Sequence, residues 1–258
     1  MTSGSPFQRL QLENWSYDAR FLPVPRGFHP VVAEVAASVE CCRLHEHPFF
    51  ELAARERAAL GIWLSQELVM TNAFSQLLMY AASNLVNVHQ RAVLSEIAFG
   101  EHGAVRGGLA RRAHPWLLHR LREAMQIPPS AIVPAPPTLV LIEKLAQAAS
   151  DPITATAALG AGNEHLILPE YRAIKQCFRR CMAEIDYAEF LDANLSEDVG
   201  HSRLCYELGS ALIETNEQAS AFKRAALASV EDRLRYFDEL HAIALDLTRA
   251  RQGTAQAG

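Results

Sequence analysis

Between residues 51 and 83 the apolar side chains Leu60, Trp63, Leu64, Leu68, Phe74, Leu77 and Leu78 return every three or four positions, the spacing of one helix face. So long a run makes a core helix or a closely broken pair. The same period governs residues 216–250, where Phe222, Ala226, Val230, Leu234, Phe237 and Leu240 form the stripe of an amphipathic closing helix. That stripe reads as core packing. Nowhere do apolar and polar residues alternate for long enough to make a half-buried strand, so an all-α fold is expected.

The intervening stretches read the same way. Pro30 opens a helix through VVAEVAASVECCRL, another covers about residues 84–100 until Gly100 and Gly103 stop it, and a third starts at His114 after a basic, Gly-rich turn. PPSAIVPAPP is a rigid connector into the short helix TLVLIEKLAQAAS. Asp151 then caps a long helix from Pro152 to Met182, and residues 186–209 form one more. No linker divides these pieces. The expectation is a single domain over residues 29–250, preceded by a polar arm (1–28) broken by Pro23 and Pro25 and followed by a disordered tail (251–258).

With 24 basic and 29 acidic residues the chain carries a net charge of -5, which argues against nucleic acid or a membrane surface as partner. A small molecule is the partner left open. No stretch is apolar enough to span a bilayer, and the first residues lack a charged segment followed by an apolar one, so a cytoplasmic location is expected. The cysteines, among them Cys41, Cys42, Cys177 and Cys181, make no zinc spacing and read as reduced, small hydrophobes. GAVRGG follows no strand and lacks the Lys-Ser/Thr ending of a phosphate loop.

Chemistry enters on the helix over residues 186–209. Asn194, Asp198 and His201 stand at i, i+4 and i+7, within about 60° of one another on one face. An acid and a histidine so placed are a surface pair unless other donors converge on them. Two more signals lie elsewhere: Glu67 sits inside an apolar stretch, and Glu164 with His165 interrupts another just after Gly160 and Gly162.

Four motifs in this order resemble the haem-oxygenase-like di-iron oxidases. FGEHG and then AHPWLL are similar to that family's Glu-x-Gly and His-x-x-Leu-Leu; AALGAGNEHLILP resembles its small-residue run with Glu and Pro; FLDANLSEDVGH resembles its Phe-x-x-x-His-x-x-x-Asp-x-x-His. The resemblance implies a seven-helix haem-oxygenase-like bundle, a scaffold shared with the cofactorless pyrroloquinoline-quinone synthase and the thiaminase-type hydrolases. It implies metal ligation by Glu101, His114, Glu164, Asp198 and His201, with His102 and Glu96 as rivals for the first pair and Glu67 as an additional carboxylate. Asn194 stands where the family has a histidine, and an amide oxygen is a poorer ligand for ferrous iron than imidazole. One of two Fe(II) ions is therefore expected to be labile, with Glu197, Glu67 or water replacing the lost donor.

The activity so implied is a dioxygen-using, non-haem iron oxidation of a small carboxylate-bearing metabolite, an amino acid or fatty acid derivative of specialised metabolism. Lys175, Tyr171, Arg203 and Tyr206 are the expected substrate contacts, the first two because they lie at i+11 and i+7 from Glu164 if one α-helix runs unbroken. A single-metal enzyme, a cofactorless or hydrolytic enzyme of the same scaffold, and a binding protein with a vestigial site are the alternatives. The long Leu- and Ala-rich helices leave room for a helix-packed homodimer.

Overall fold

The computed structural model describes residues 27–103 and 113–256, without the side chains of 197–199 and 252–256. The arm expected over residues 1–28 lies outside the described residues except for Gly27 and Phe28, as does most of the Gly-rich turn before His114. Among the described residues ten α-helical segments form: α1 (Pro30–Glu40), α2 (Pro48–Ala53), α3 (Arg57–Ser83), α4 (Val88–Glu101), α5 (His114–Ala124), α6 (Pro136–Ala148), α7 (Pro152–Ala158), α8 (Ile167–Cys181), α9 (Ala188–Leu212) and α10 (Asn216–Gln256). The fold is all-α, with no strand among the described residues.

Helix starts follow local chemistry. Pro30, Pro48, Pro136 and Pro152 each take a first position, where a missing N–H goes unnoticed. Asp151 Oδ1 accepts from the backbone N–H groups of Ile153 and Thr154, both at 3.0 Å, and Asn87 Oδ1 accepts from His89 at 3.0 Å. His29 and His47 cap α1 and α2 through Nδ1 in the same way, at 3.3 and 3.1 Å. Each side-chain cap of this kind contributes about 1 kcal/mol.

Several boundaries differ from the sequence reading: α1 ends at Glu40 rather than Leu44, and α4 starts at Val88 rather than near residue 84. The long helix expected from Pro152 changes pitch at Leu159–His165, a π-helical turn between α7 and α8. The closing helix continues past Ala250 to Gln256, so the tail placed at 251–258 is helical through Gln256. Arg251, Gln252, Ala255 and Gln256 are all good helix formers, and Gly253 alone does not stop them.

One hydrophobic core serves all ten segments. Its axis is α3, whose Leu60, Trp63, Leu64 and Leu78 are wholly buried and which packs on α4, α5, α6, α8 and α10. The π turn is clasped between α9 and α10. A Cβ on Gly160 would lie 2.8 Å from Cys205 Cβ, and one on Gly162 would lie 2.5 Å from Ser229 Cβ. The small-residue run thus lets two helices press directly on the turn's backbone, which fixes where Glu164 stands. No described helix is long and apolar enough to cross a membrane.

Candidate metal centre

Four helical segments each deliver one ligand-type side chain to the same buried place. Glu101 is the last residue of α4, His114 the first of α5, Glu164 belongs to the π turn, and His201 lies midway along α9. Their exposures are 4%, 1%, 1% and 8%. Glu101 Oε2 and His114 Nδ1 are 3.0 Å apart, and His201 Nδ1 stands 3.6 Å from Glu164 Oε2. One ligand atom from each of Glu101, Glu164 and His201 lies within 4.8 Å of the others.

Burying two carboxylates side by side is costly unless positive charge accompanies them. Burial pushes the Glu164 carboxyl above its ordinary range; His201 opposes the shift and Glu101 adds to it. Glu164 Oε1 is buried with no hydrogen-bond partner among the described residues. Two carboxylates and two imidazoles with no thiolate, one oxygen of them orphaned, are a donor set for a first-row divalent ion such as iron or manganese.

A small cavity adjoins this cluster. It leaves about 10 Å³, the room of about one water molecule, and Glu101, Glu164, Asn163, Asn194, Glu67 and Tyr171 supply its polar wall. Met70, Phe74 and Ile167 supply its apolar wall. Asn194 is 3% exposed, lines the cavity and donates its Nδ2 hydrogen to Phe190 O at 2.8 Å. Glu67 accepts from the Tyr171 hydroxyl at 2.7 Å and from Thr71 at 3.4 Å, and its Oε2 lies 3.7 Å from Arg233. Burial and the nearby Glu170 charge push its carboxyl up to about 7, against the pull of Arg233, Tyr171 and Thr71.

The structure brings Glu101, His114, Glu164, His201, Asn194 and Glu67 together. The side chains of Asp198 and Glu197 lie outside the described ones, although α9 runs through both positions. Of the rivals for the first pair, His102 and Glu96 are both exposed, whereas His114 is buried against Glu101.

The expected substrate contacts divide. Tyr171 lines the cavity, but Tyr206 is buried away from its wall with its hydroxyl 2.9 Å from His165 Nδ1. Lys175 pairs with Asp192 near the surface, and Arg203 pairs with Glu207 at 2.8 Å with its side chain 65% exposed. Neither cation reaches the cavity. Lys175 stands one turn beyond Tyr171 on α8, where Asp192 of α9 takes its charge.

Sequence reasoning missed the ion pair behind Glu67. Arg233 on α10 donates to Glu170 Oε2 through Nε at 3.0 Å and Nη2 at 2.6 Å, and Trp63 Nε1 donates to Glu170 Oε1 at 3.0 Å. A signal for it existed. Arg233 stands seven residues after Ala226 and four before Phe237, inside the apolar stripe of α10.

The model of a family of iron-containing redox enzymes matches residues 62–233, more than half of the chain. Among curated proteins none matches. A CADD-like protein of unknown function from Nostoc punctiforme superposes with a TM-score of 0.69 at 18% identity, over 83% of this chain and 96% of that one. A TenA homolog from Pseudomonas syringae gives 0.63 at 10% identity, over 87% and 99%. A domain of unknown function with a haem-oxygenase-like fold from Shewanella denitrificans gives 0.61 at 16%, over 81% and 88%. Identities this low speak for the fold alone, and that fold is haem-oxygenase-like.

Proposed function

The chain belongs to the iron-containing redox enzyme family, and on that footing we propose that Glu101, His114, Glu164 and His201 hold iron for a dioxygen-dependent oxidation of a small metabolite. The observation that carries this reading is the convergence of two carboxylates and two imidazoles from four segments, with an orphaned oxygen on Glu164. Ferrous iron, when bound, supplies electrons and open coordination positions for dioxygen.

The chain's own residues do the rest. Glu101 also orients the His114 ring through their 3.0 Å contact. The clasp of α9 and α10 on the π turn holds Glu164 at a fixed depth. Met70, Phe74 and Ile167 exclude water and face the apolar part of a substrate, for which the amino acid or fatty acid class is proposed from the family resemblance. Asn194 specifically favours a centre with one firmly held ion and one labile ion, or a single ion, since a neutral amide stands where the family resemblance puts an imidazole.

Iron stoichiometry after anaerobic loading with ferrous ion, on the native chain and on Asn194→His, tests this. The expected result is fewer than two firmly held irons per chain in the native protein, a gain in the histidine variant, and dioxygen uptake by the loaded protein. If neither protein binds iron, the reading fails and the metal-free chemistry of the scaffold takes its place. About two firmly held irons in the native protein would sink only the argument from Asn194.

A further inference from the structure

The metal cavity is joined to the protein's exterior by an unbroken file of aromatic rings. His114 meets Phe190 at 6.3 Å between ring centres, Phe190 meets Tyr171 at 5.3 Å, and Tyr171 meets Trp63 edge-on at 6.0 Å. Trp63 continues to Phe178 at 6.3 Å, and Phe178 stacks on the half-buried Tyr187 at 5.2 Å. Aromatic packing is ordinary in a helical core. What sets this file apart is that its two buried oxidisable rings each donate a hydrogen bond to a buried carboxylate: Tyr171 to Glu67 at 2.7 Å, and Trp63 to Glu170 at 3.0 Å. A phenol gives up an electron readily only if its proton has somewhere to go, and an oxidised indole is held by a carboxylate that accepts its N–H, here Glu170, whose charge Arg233 shares. Tyr206 and Tyr80, by contrast, lie off the file, the first bonded to His165 and the second 39% exposed.

We propose that Tyr171 and Trp63 are redox-active and relay single electrons between the surface and the metal cavity. The inference rests on the iron reading of the site. The oxidant is an iron centre raised above the ferrous level by dioxygen, and the final reductant is a soluble one-electron donor of the ascorbate class. Tyr171 loses one electron to the oxidant while its phenolic proton crosses to Glu67 Oε1, which leaves a neutral tyrosyl radical. Trp63 then gives one electron to that radical and Glu67 returns the proton, so tyrosine is restored and an indole radical cation remains on Trp63, hydrogen-bonded to Glu170. The soluble donor refills Trp63 through Tyr187 and Phe178. The relay supplies reducing equivalents, and it drains the oxidant when no substrate is present.

Iron content is measured first. Ferrous-loaded protein is then mixed with dioxygen, frozen within milliseconds and read by electron paramagnetic resonance. Expected is a tyrosyl signal that is lost in Tyr171→Phe, kept in Tyr80→Phe, and longer-lived in Trp63→Phe because its refilling is cut. Placing 3-fluorotyrosine at position 171 preserves the hydrogen bond and packing, and should add fluorine splitting to the same signal. Iron that binds and oxidises with no tyrosyl signal in either the native or the Trp63→Phe protein overturns the relay alone. So does a signal that fluorination at position 171 leaves unchanged. Protein that binds no iron removes the functional reading and the relay with it.

Discussion

Replacing Arg233 by methionine isolates the energetics of the charge cluster behind the cavity. The side chains of Arg233, Glu170 and Glu67 are 1%, 0% and 2% exposed. Arg233 holds one oxygen of Glu170 through two nitrogens, and it is the nearest positive charge to Glu67 as well. Methionine fills most of the volume and removes the charge, leaving a carboxylate deep in the core with only the Trp63 indole to bind it. Breaking a buried pair from one side costs about 3–5 kcal/mol. A domain of ordinary stability has about 5–15 kcal/mol in all, so the loss consumes a fifth or more of it. Urea unfolding followed by circular dichroism reads the loss directly by linear extrapolation. The double variant Arg233→Met with Glu170→Gln removes the stranded charge and keeps an acceptor for the indole N–H, so it should recover at least half of the loss. A single-variant cost below about 1 kcal/mol, or a double variant no better than the single, would refute the claim that the cost is an uncompensated buried charge.

Two further outcomes follow from the same region. Glu67 titrates at about 7 in the fold against an ordinary 4.5. Between those values the folded chain keeps a proton that the unfolded chain has released, so stability falls as pH rises through the window and levels off above it. Urea midpoints of the metal-free protein at the two ends of the window should differ less in Glu67→Gln than in the native chain, and an equal difference would remove the argument. Gly162→Ala puts a methyl group 2.5 Å from Ser229 Cβ and 2.8 Å from the Ser229 carbonyl carbon. Overpacking of this kind costs about 1–3 kcal/mol, or several degrees in Tm. It should also weaken iron binding by displacing Glu164, and an unchanged Tm and iron affinity would show that the turn yields freely.

Periodicity made the helices legible, since a 3.6-residue repeat needs no knowledge of what a helix packs against. The resemblance in motif order singled out Glu101, His114, Glu164 and His201, and the fold brings these four side chains to one buried place. The charged residues inside the apolar stripes were harder. Glu170 and Arg233 are 63 positions apart, and each alone reads as a solvated side chain until the fold brings the other to it. Lys175 and Arg203 failed for the reverse reason: each is taken by a nearby acid, Asp192 and Glu207, away from the cavity wall.

The π turn has a consequence for how much of this molecule can be altered by length alone. A π turn holds about one residue more than α-helical pitch would, so α8 is set out of phase with α7 by about 100°. Deleting a single residue between Leu159 and His165 would shorten the protein by almost nothing and leave a better helix behind. It would also rotate everything after it, turning Glu170, Tyr171, Ile174 and Phe178 off the core side of α8 together. The irregular turn therefore works as a clutch between two helical gears, and the metal ligand, the buried ion pair and the aromatic file all depend on that single extra tooth.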